Sequence, residues 1–414
     1  MSEAIRVLHF ADVHVGMENY GRTDPQTGLS SRVLDFVHRM DEMCDYAALN
    51  DVDLIIFAGD AFKNANPNAT FQREFAHRIQ DLAQLAPVHL LVGNHDIPQN
   101  RIKASSVEIY QALNVPNVSV EDDYTVRQVE TKRGPVILGF APYPTRQHLL
   151  SFNDSKVIHR DLDQYLRSSF DKLIISLAEE AEALDPENKI PRLLSGHFSI
   201  SGAKLGSERE FMLGRDIAIG LSTIADPVWD YVAMGHIHKH QNLTAGRDDR
   251  PPVVYSGSLE RIDFGEANDP KGFCWVDLQR NQTAWQFVEV DARPFVDIHL
   301  DCILDTDPTQ RVLTQINKLN MKNAVVKVTV ELAPETQNLL NETQIREAIK
   351  FNQAFSIASI NKRIQNRHRA RLGANPEGLS QEELLERFFA AKEIPEAHIK
   401  SLMEIAREMM QSEE

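Results

Sequence analysis

Five short polar clusters in the first part of the chain carry side chains suited to metal ions. They are Asp12-Val13-His14, Gly59-Asp60, Gly93-Asn94-His95-Asp96, Gly196-His197 and Gly235-His236-Ile237-His238. Their donors are carboxylate, imidazole and amide, with no thiolate. That set favours Mn²⁺, Fe or Zn²⁺ over a structural zinc–cysteine site, and octahedral Mn²⁺ is comfortable with it. A single Gly-Asp or Gly-His after a strand is an ordinary turn, and Asp at a strand end often caps the next helix. Five such clusters in order, each behind its own apolar run, describe a convergent site. Two divalent ions about 3.5–4 Å apart suit displacement at phosphorus, because they bind phosphate oxygens, acidify a water and stabilise the entering and leaving oxygens. One carboxylate must bridge such a pair, and Asp60 is the natural choice.

The elements that must position these residues are visible as the runs ahead of them: IRVLHFA, DLIIFA, VHLLV, PRLLS and DYVAM. Each reads as a buried strand. Period-2 alternation predicts that the side chains of Asp12 and His14 share one face, as do those of His236 and His238. Helical spacing occurs near 30–50, 69–85 and 160–184, in the last through Ile174, Leu177, Ala178 and Ala181. Denser strands follow at VVYSGS, GFCWVDL and TAWQFVEV, which predicts a β-meander after a βα-rich first half, in a layered α/β fold with helices outside. Long loops near 15–29 and 199–220 are places where function often sits.

Asp291 to Pro294 reads as a boundary, so the first domain is expected over residues 1–290. A small α/β domain is expected at 291–365: strand PFVDIHLDC, a helix near 307–319, strand NAVVKVTVEL, a helix near 341–352 and strand SIASINKRI. Residues 366–378 read as a polar linker. Residues 379–414 form two short helices, striped by Leu384, Leu385, Phe388 and Phe389 in the first and by Leu402, Ile405, Ala406 and Met409 in the second. About 35 residues cannot bury two apolar stripes alone. The pair either packs on the body or docks another protein.

Composition limits the partners. The formal charge of −16 is awkward for phosphate binding, which normally needs a basic surface. Two bound divalent cations would supply about four positive charges where a phosphate must sit. A local basic run, Lys362, Arg363, Arg367, Arg369 and Arg371, is either a solvated linker or a DNA contact. The three cysteines, Cys44, Cys274 and Cys302, are too scattered for a disulfide framework. No apolar stretch is long enough to span a membrane, and MSEAIRVLHF does not read as a secretory signal. A cytoplasmic protein is expected.

In order and spacing, the five clusters resemble the calcineurin-like metallophosphoesterase superfamily, whose fold is a sandwich of two sheets flanked by helices. SGAKLGSERE after His197 and YSGSLERIDFGE at 255–266 resemble the SbcD family, bacterial nuclease subunits. The domain order points the same way, and the resemblance covers nearly the whole chain. It implies a small α/β capping domain and a C-terminal helical pair. By motif position it implies one ion on Asp12, His14, Asp60 and His238, and a second on Asp60, Asn94, His197 and His236. His95 resembles the family's non-ligand histidine, which contacts the scissile phosphate and assists the leaving 3′ oxygen, with Asp96 orienting it. Lys63 departs from the pattern, since relatives often carry Asp or His there. The resemblance further implies a Mn²⁺-dependent nuclease with 3′-to-5′ exonuclease and endonuclease activity on double-stranded DNA. It would act as a homodimer through helices near 69–85 and 103–113, with an SbcC-type SMC-like ATPase clasped by the terminal helices. The competing reading is a general phosphodiesterase or phosphatase acting on a non-DNA substrate.

Overall fold

The computed structural model describes residues 3–98, 103–151, 162–206, 217–365, 381–391, 398–403 and 406. The chain divides into two compact units, Met1–Val296 and Asp297–Glu414. The division falls inside the strand that begins at Phe295.

The first unit is built on two six-stranded sheets. One contains β1 (Ile5–Phe10), β2 (Leu54–Phe57), β3 (Val88–Leu91) and β4 (Val118–Glu121), all parallel. The other contains β5 (Thr125–Thr131), β6 (Gly134–Ala141), β7 (Arg192–His197), β8 (Tyr231–Gly235), β9 (Gln241–Asn242) and β10 (Val253–Tyr255), with β6, β7, β8 and β10 parallel. The hairpin of β11 (Gly272–Leu278) and β12 (Ala284–Glu289) returns to the first sheet, antiparallel to β1. The late strands therefore form no meander. β10 extends one sheet and β11–β12 closes the edge of the other, because β1 and β8 each offer a free side and β10 and β11 are buried on both faces, while β12 is half-exposed at the edge.

Alternation along each strand sorts the core into layers. Val7, Leu54, Ile56, Leu193, Tyr231, Val254 and Val276 meet between the sheets. Their neighbours Leu8, Ile55 and Phe57 face outward onto α1 (Ser31–Leu49) and α2 (Ala69–Leu85), which bury Phe36, Met40 and Met43, and Phe75, Ile79 and Leu82. Leu194, Val232 and Met234 face α3 (Leu162–Leu184), which buries Leu166, Phe170, Ile174 and Leu177 at intervals of three and four. The order helix–sheet–sheet–helix is the sandwich expected from the motifs. β5 is not legible in the hydropathy, since it is half-exposed along its length.

The second unit contains β13 (Phe295–Asp301), β14 (Val325–Leu332) and β15 (Ser356–Ile364) in that spatial order. β14 and β15 run parallel across the helix α5 (Glu342–Phe351), and α4 (Pro308–Ile316) joins the first two strands. Side chains of Asp307 and Asn341 cap these helices. Lys362 and Arg363 belong to β15, and Lys362 Nζ lies 3.2 Å from a Glu342 carboxylate oxygen. The rest of the basic run, Arg367, Arg369 and Arg371, and the linker 366–378 lie outside the described residues, as do Ile405 and Met409. Gln381–Ala391 is helical, with Leu384, Leu385 and Phe389 half-buried, and 398–403 is also helical. Among the described residues no helix is long and apolar enough to cross a membrane.

Phe57 is fully buried between β2 and the helix layer, against Phe10 and Phe75. Phe57→Ala is expected to lower the unfolding free energy by about 3–5 kcal/mol, through lost transfer energy and the cavity left behind. A denaturant midpoint unchanged from wild type would contradict this packing.

Candidate metal centre

All five polar clusters lie at the carboxyl ends of parallel strands: just after β1, β2 and β3 of one sheet, and in or directly after the last residues of β7 and β8 of the other. Ligands bind outside the carboxyl ends of strands in such sheets because the loops there converge. The convergence here is not a strand alternation. Asp12, His14, Asp60 and His236 all have positive φ, between +49° and +94°. The chain leaves β1, β2 and β8 through left-handed turns, so the shared face predicted for Asp12 and His14 comes from those turns rather than from period 2. Such backbone is costly for residues with a Cβ and persists only where its surroundings over-determine it.

Those surroundings are a network of main-chain hydrogen bonds. The Asp12 N–H donates to the Gly59 carbonyl at 3.0 Å, and the N–H groups of Val13 and His14 both donate to the Asp60 carbonyl. The His236 N–H donates to the Asp12 carboxylate at 3.0 and 3.1 Å, tying the two sheets together at the site. The glycines serve close approach. A Cβ at Gly59, where φ is +97°, would lie 2.3 Å from His197 Nδ1, and one at Gly235 would lie 2.1 Å from the Ala58 carbonyl oxygen.

Two groups of donor atoms result. In the first, His14 Nε2 and His238 Nε2 lie 3.0 Å apart, with Asp60 Oδ2 3.7 Å from His14 Nε2 and Asp12 within reach of both rings. In the second, Asn94 Oδ1 lies 3.1 Å from His197 Nε2 and 2.8 Å from His236 Nδ1, and Asp60 Oδ2 is 3.4 Å from His197 Nε2. Asp60 Oδ2 faces both groups.

The tautomers are set from behind. His197 Nδ1 lies 2.6 Å from the Ala58 carbonyl, which can only accept, so Nδ1 carries a proton and Nε2 is the nitrogen left for an ion. His238 Nδ1 lies 2.9 Å from Glu266 Oε1 and is fixed the same way. The two Nε2 atoms then face one donor group each, beside carboxylates of Asp12, Asp60 and Asp96 that are at most 1% exposed. Among the described residues no Lys or Arg side chain pairs with these three acids. Burial pushes the Asp12 carboxyl up. Burial also acts upward on Asp60, but the imidazoles of His197, His95 and His14 outweigh it and hold its carboxyl well below the usual range. On His197 burial acts downward, yet Asp60 and Asp12 raise it to about 9. The site therefore attracts positive charge strongly, and its oxygen and nitrogen donors fit divalent metal ions.

His95 and Asp96 do not form the pair expected. His95 is exposed, and its Nδ1 donates to the Lys63 carbonyl at 2.9 Å. Its ring meets His14 edge-on at 4.8 Å, and its N–H donates to Asp60 Oδ1 at 2.8 Å. Asp96 is fully buried and its carboxylate accepts from the N–H groups of Asp60 (2.9 Å), Ala61 (3.1 Å) and Gly93 (3.0 Å) and from Ser106 Oγ (2.9 Å). Asp96 is the joint between the second and third clusters. Burial, followed by the charge of Asp60, raises its carboxyl to about 6. His95 is oriented instead by Lys63, through a main-chain carbonyl that any residue supplies, so the departure from the family pattern at 63 leaves this contact intact.

Sequence reasoning missed Glu266 and Lys271. Glu266 lies in the segment SLERIDFGE, whose signal was resemblance alone. Lys271 carried no signal, because a lysine ahead of an apolar strand reads as a solvated charge.

Residues 5–240 match the calcineurin-like phosphoesterase family. The chain belongs to that family. Within it the chain is of the SbcD type. It is 26% identical to the SbcD component of the nuclease SbcCD of Bacillus subtilis over 293 residues, covering 69% of each chain. The corresponding protein of Staphylococcus saprophyticus is 24% identical over 287 residues, 69% of this chain and 68% of that one. The DNA double-strand break repair protein Mre11 of Thermoplasma acidophilum is 25% identical over 371 residues, 87% of this chain and 85% of that protein.

Asp96→Ala leaves three buried N–H groups without an acceptor, each costing roughly 1–3 kcal/mol. It is expected to reduce the unfolding free energy by about 3 kcal/mol or more, read by chemical denaturation. A fully stable variant that lost only activity would restore the orienting role first expected of Asp96.

Proposed function

We propose that the chain is a two-ion DNA nuclease, a metal-dependent phosphodiesterase in which Asp60 is shared by both ions. Asp12, His14, Asp60 and His238 would hold one ion, and Asp60, Asn94, His197 and His236 would hold the other. The observation that carries this reading is the position of Asp60 Oδ2, 3.7 Å from His14 Nε2 and 3.4 Å from His197 Nε2, between the two donor groups. When bound, the ions supply Lewis acidity to the phosphate and a nucleophile at neutral pH. Mn²⁺ is the preferred ion on the grounds of the oxygen-and-imidazole donor set.

The chain's own residues do the rest. Ala58 and Glu266 hold the ligand imidazoles with their lone pairs inward. His95, on the exposed side, contacts the scissile phosphate and gives a proton to the departing 3′ oxygen, held by the Lys63 carbonyl rather than by Asp96. The donor groups neutralise a phosphate through bound ions, which reconciles an acidic chain with a nucleic-acid substrate.

DNA as substrate is supported by the relatives, which are nucleases and a double-strand break repair protein, and by the added α/β unit, read as a capping domain. Partnership with an SMC-like ATPase is supported by the name SbcCD, which describes a complex, and by the half-buried stripe of Leu384, Leu385 and Phe389. A homodimer is supported by the groove between α2 and residues 109–117, where Ile109 and Leu113 are exposed at 50% and 69%. A reducing cytoplasm fits the free cysteines.

Linear duplex DNA with Mn²⁺ is expected to be cleaved, and chelator to stop cleavage. Hydrolysis of a small phosphodiester without action on DNA would favour the general phosphodiesterase. His95→Ala should abolish cleavage while metal analysis still finds both ions; empty sites in that variant would refute its role. Truncation near Asn375 should spare small-phosphodiester hydrolysis and release the ATPase, and continued co-purification would rule out docking through the terminal helices.

A further inference from the structure

We propose that Lys271 and Glu266 are positioning residues that grip His238 at both ends and so set the affinity of one ion position without setting that of the other. The inference rests on the two-ion reading above.

The grip is a closed circuit of buried contacts. Glu266 Oε1 accepts from His238 Nδ1 at 2.9 Å, and Glu266 Oε2 lies 2.7 Å from Lys271 Nζ. Lys271 Nζ then donates to the main-chain carbonyl of His238 itself at 3.1 Å and to Ser258 Oγ at 2.8 Å. The imidazole is thus fixed through the carboxylate and the backbone through the ammonium. Glu266 accepts one further bond, from the Ile262 N–H at 3.0 Å, which locks its carboxylate plane. The side chains of Glu266 and Lys271 are both 0% exposed.

Burying an ion pair is costly, and two apolar residues would often serve stability as well or better. A buried Glu–Lys pair that does nothing but fill space is therefore a poor use of this position. What the pair provides is geometric: an acceptor on Nδ1 leaves only Nε2 to face the donor group, 3.0 Å from His14 Nε2. Partners behind a metal-ligating histidine fix its tautomer and raise its basicity. Lys271 keeps that acceptor in place and charge-compensated.

In the second donor group His197 is backed by the neutral Ala58 carbonyl at 2.6 Å rather than by a carboxylate and an ammonium, and the hydrogen bonds of Glu266 and Lys271 described above run to His238, Ile262 and Ser258. A change at residue 266 should therefore reach one ion position only.

Glu266→Gln is the direct test. Its side-chain amide cannot offer an acceptor oxygen to both Lys271 and His238. Calorimetric titration of the full chain with Mn²⁺ should show two binding events in the wild type. In Glu266→Gln one event should weaken by about 10–100-fold while the other stays within about threefold. The surviving event also reports that the chain is folded. Nitrogen-15 spectra of the ion-free wild type should show His238 as a single Nδ1–H tautomer, and the variant should lose that fixed form. If Glu266→Gln binds no ion, the double variant Glu266→Gln, Lys271→Met removes the buried charge mismatch and should recover one event. Two unchanged events in Glu266→Gln, an even weakening of both, or loss of both in the double variant would overturn the inference. A wild type that binds no Mn²⁺ would instead overturn the two-ion reading.

Discussion

The Asp60 carboxylate lies between two sets of imidazole lone pairs, and the architecture around it is explained by the need to hold it there. One oxygen accepts the His95 N–H at 2.8 Å; the other faces His14 on one side and His197 on the other. Its own N–H is taken by Asp96 at 2.9 Å, and its carbonyl receives the N–H groups of Val13 and His14. A residue tied at four atoms can sit at a φ of +64°, where an unsupported Asp would not remain. The two sheets contribute unequally to this junction. The first brings Asp12, His14, Asp60, Asn94 and His95, and the second brings His197, His236 and His238. The sandwich is what makes the two sets meet.

Charge balance is the second constraint. Three buried acids and a ring of imidazoles leave the centre short of positive charge, which bound cations supply. Glu266 adds a fourth buried acid behind His238, but Lys271 neutralises it locally, so it acts by orientation more than by field. The acidic surface of the chain and an anionic substrate are compatible on these terms, because attraction is concentrated where the ions sit.

Much of this was legible in the residues. The five apolar runs are five parallel strands, and their polar ends meet, because a buried strand must be apolar and a ligand must stand where it stops. The long helices and the small α/β unit were legible for the same reason, through periodicity. What failed were inferences about which side chain touches which. Asp12 and His14 converge through left-handed turns, which a strand period cannot express. Asp96 follows His95 directly, yet its carboxylate turns inward to main-chain donors 35 and 36 positions away. Lys271 reads as a surface charge until the fold encloses it with Glu266. Each of these is a tertiary contact that sequence neighbours do not encode.

The central claim is that two ions share one carboxylate. Crystals soaked in Mn²⁺ and measured at its absorption edge test it most directly. The account predicts two anomalous peaks about 3.5–4 Å apart, on either side of Asp60 Oδ2, with no peak on His95. A single peak, or two peaks of which only one touches Asp60, would contradict it.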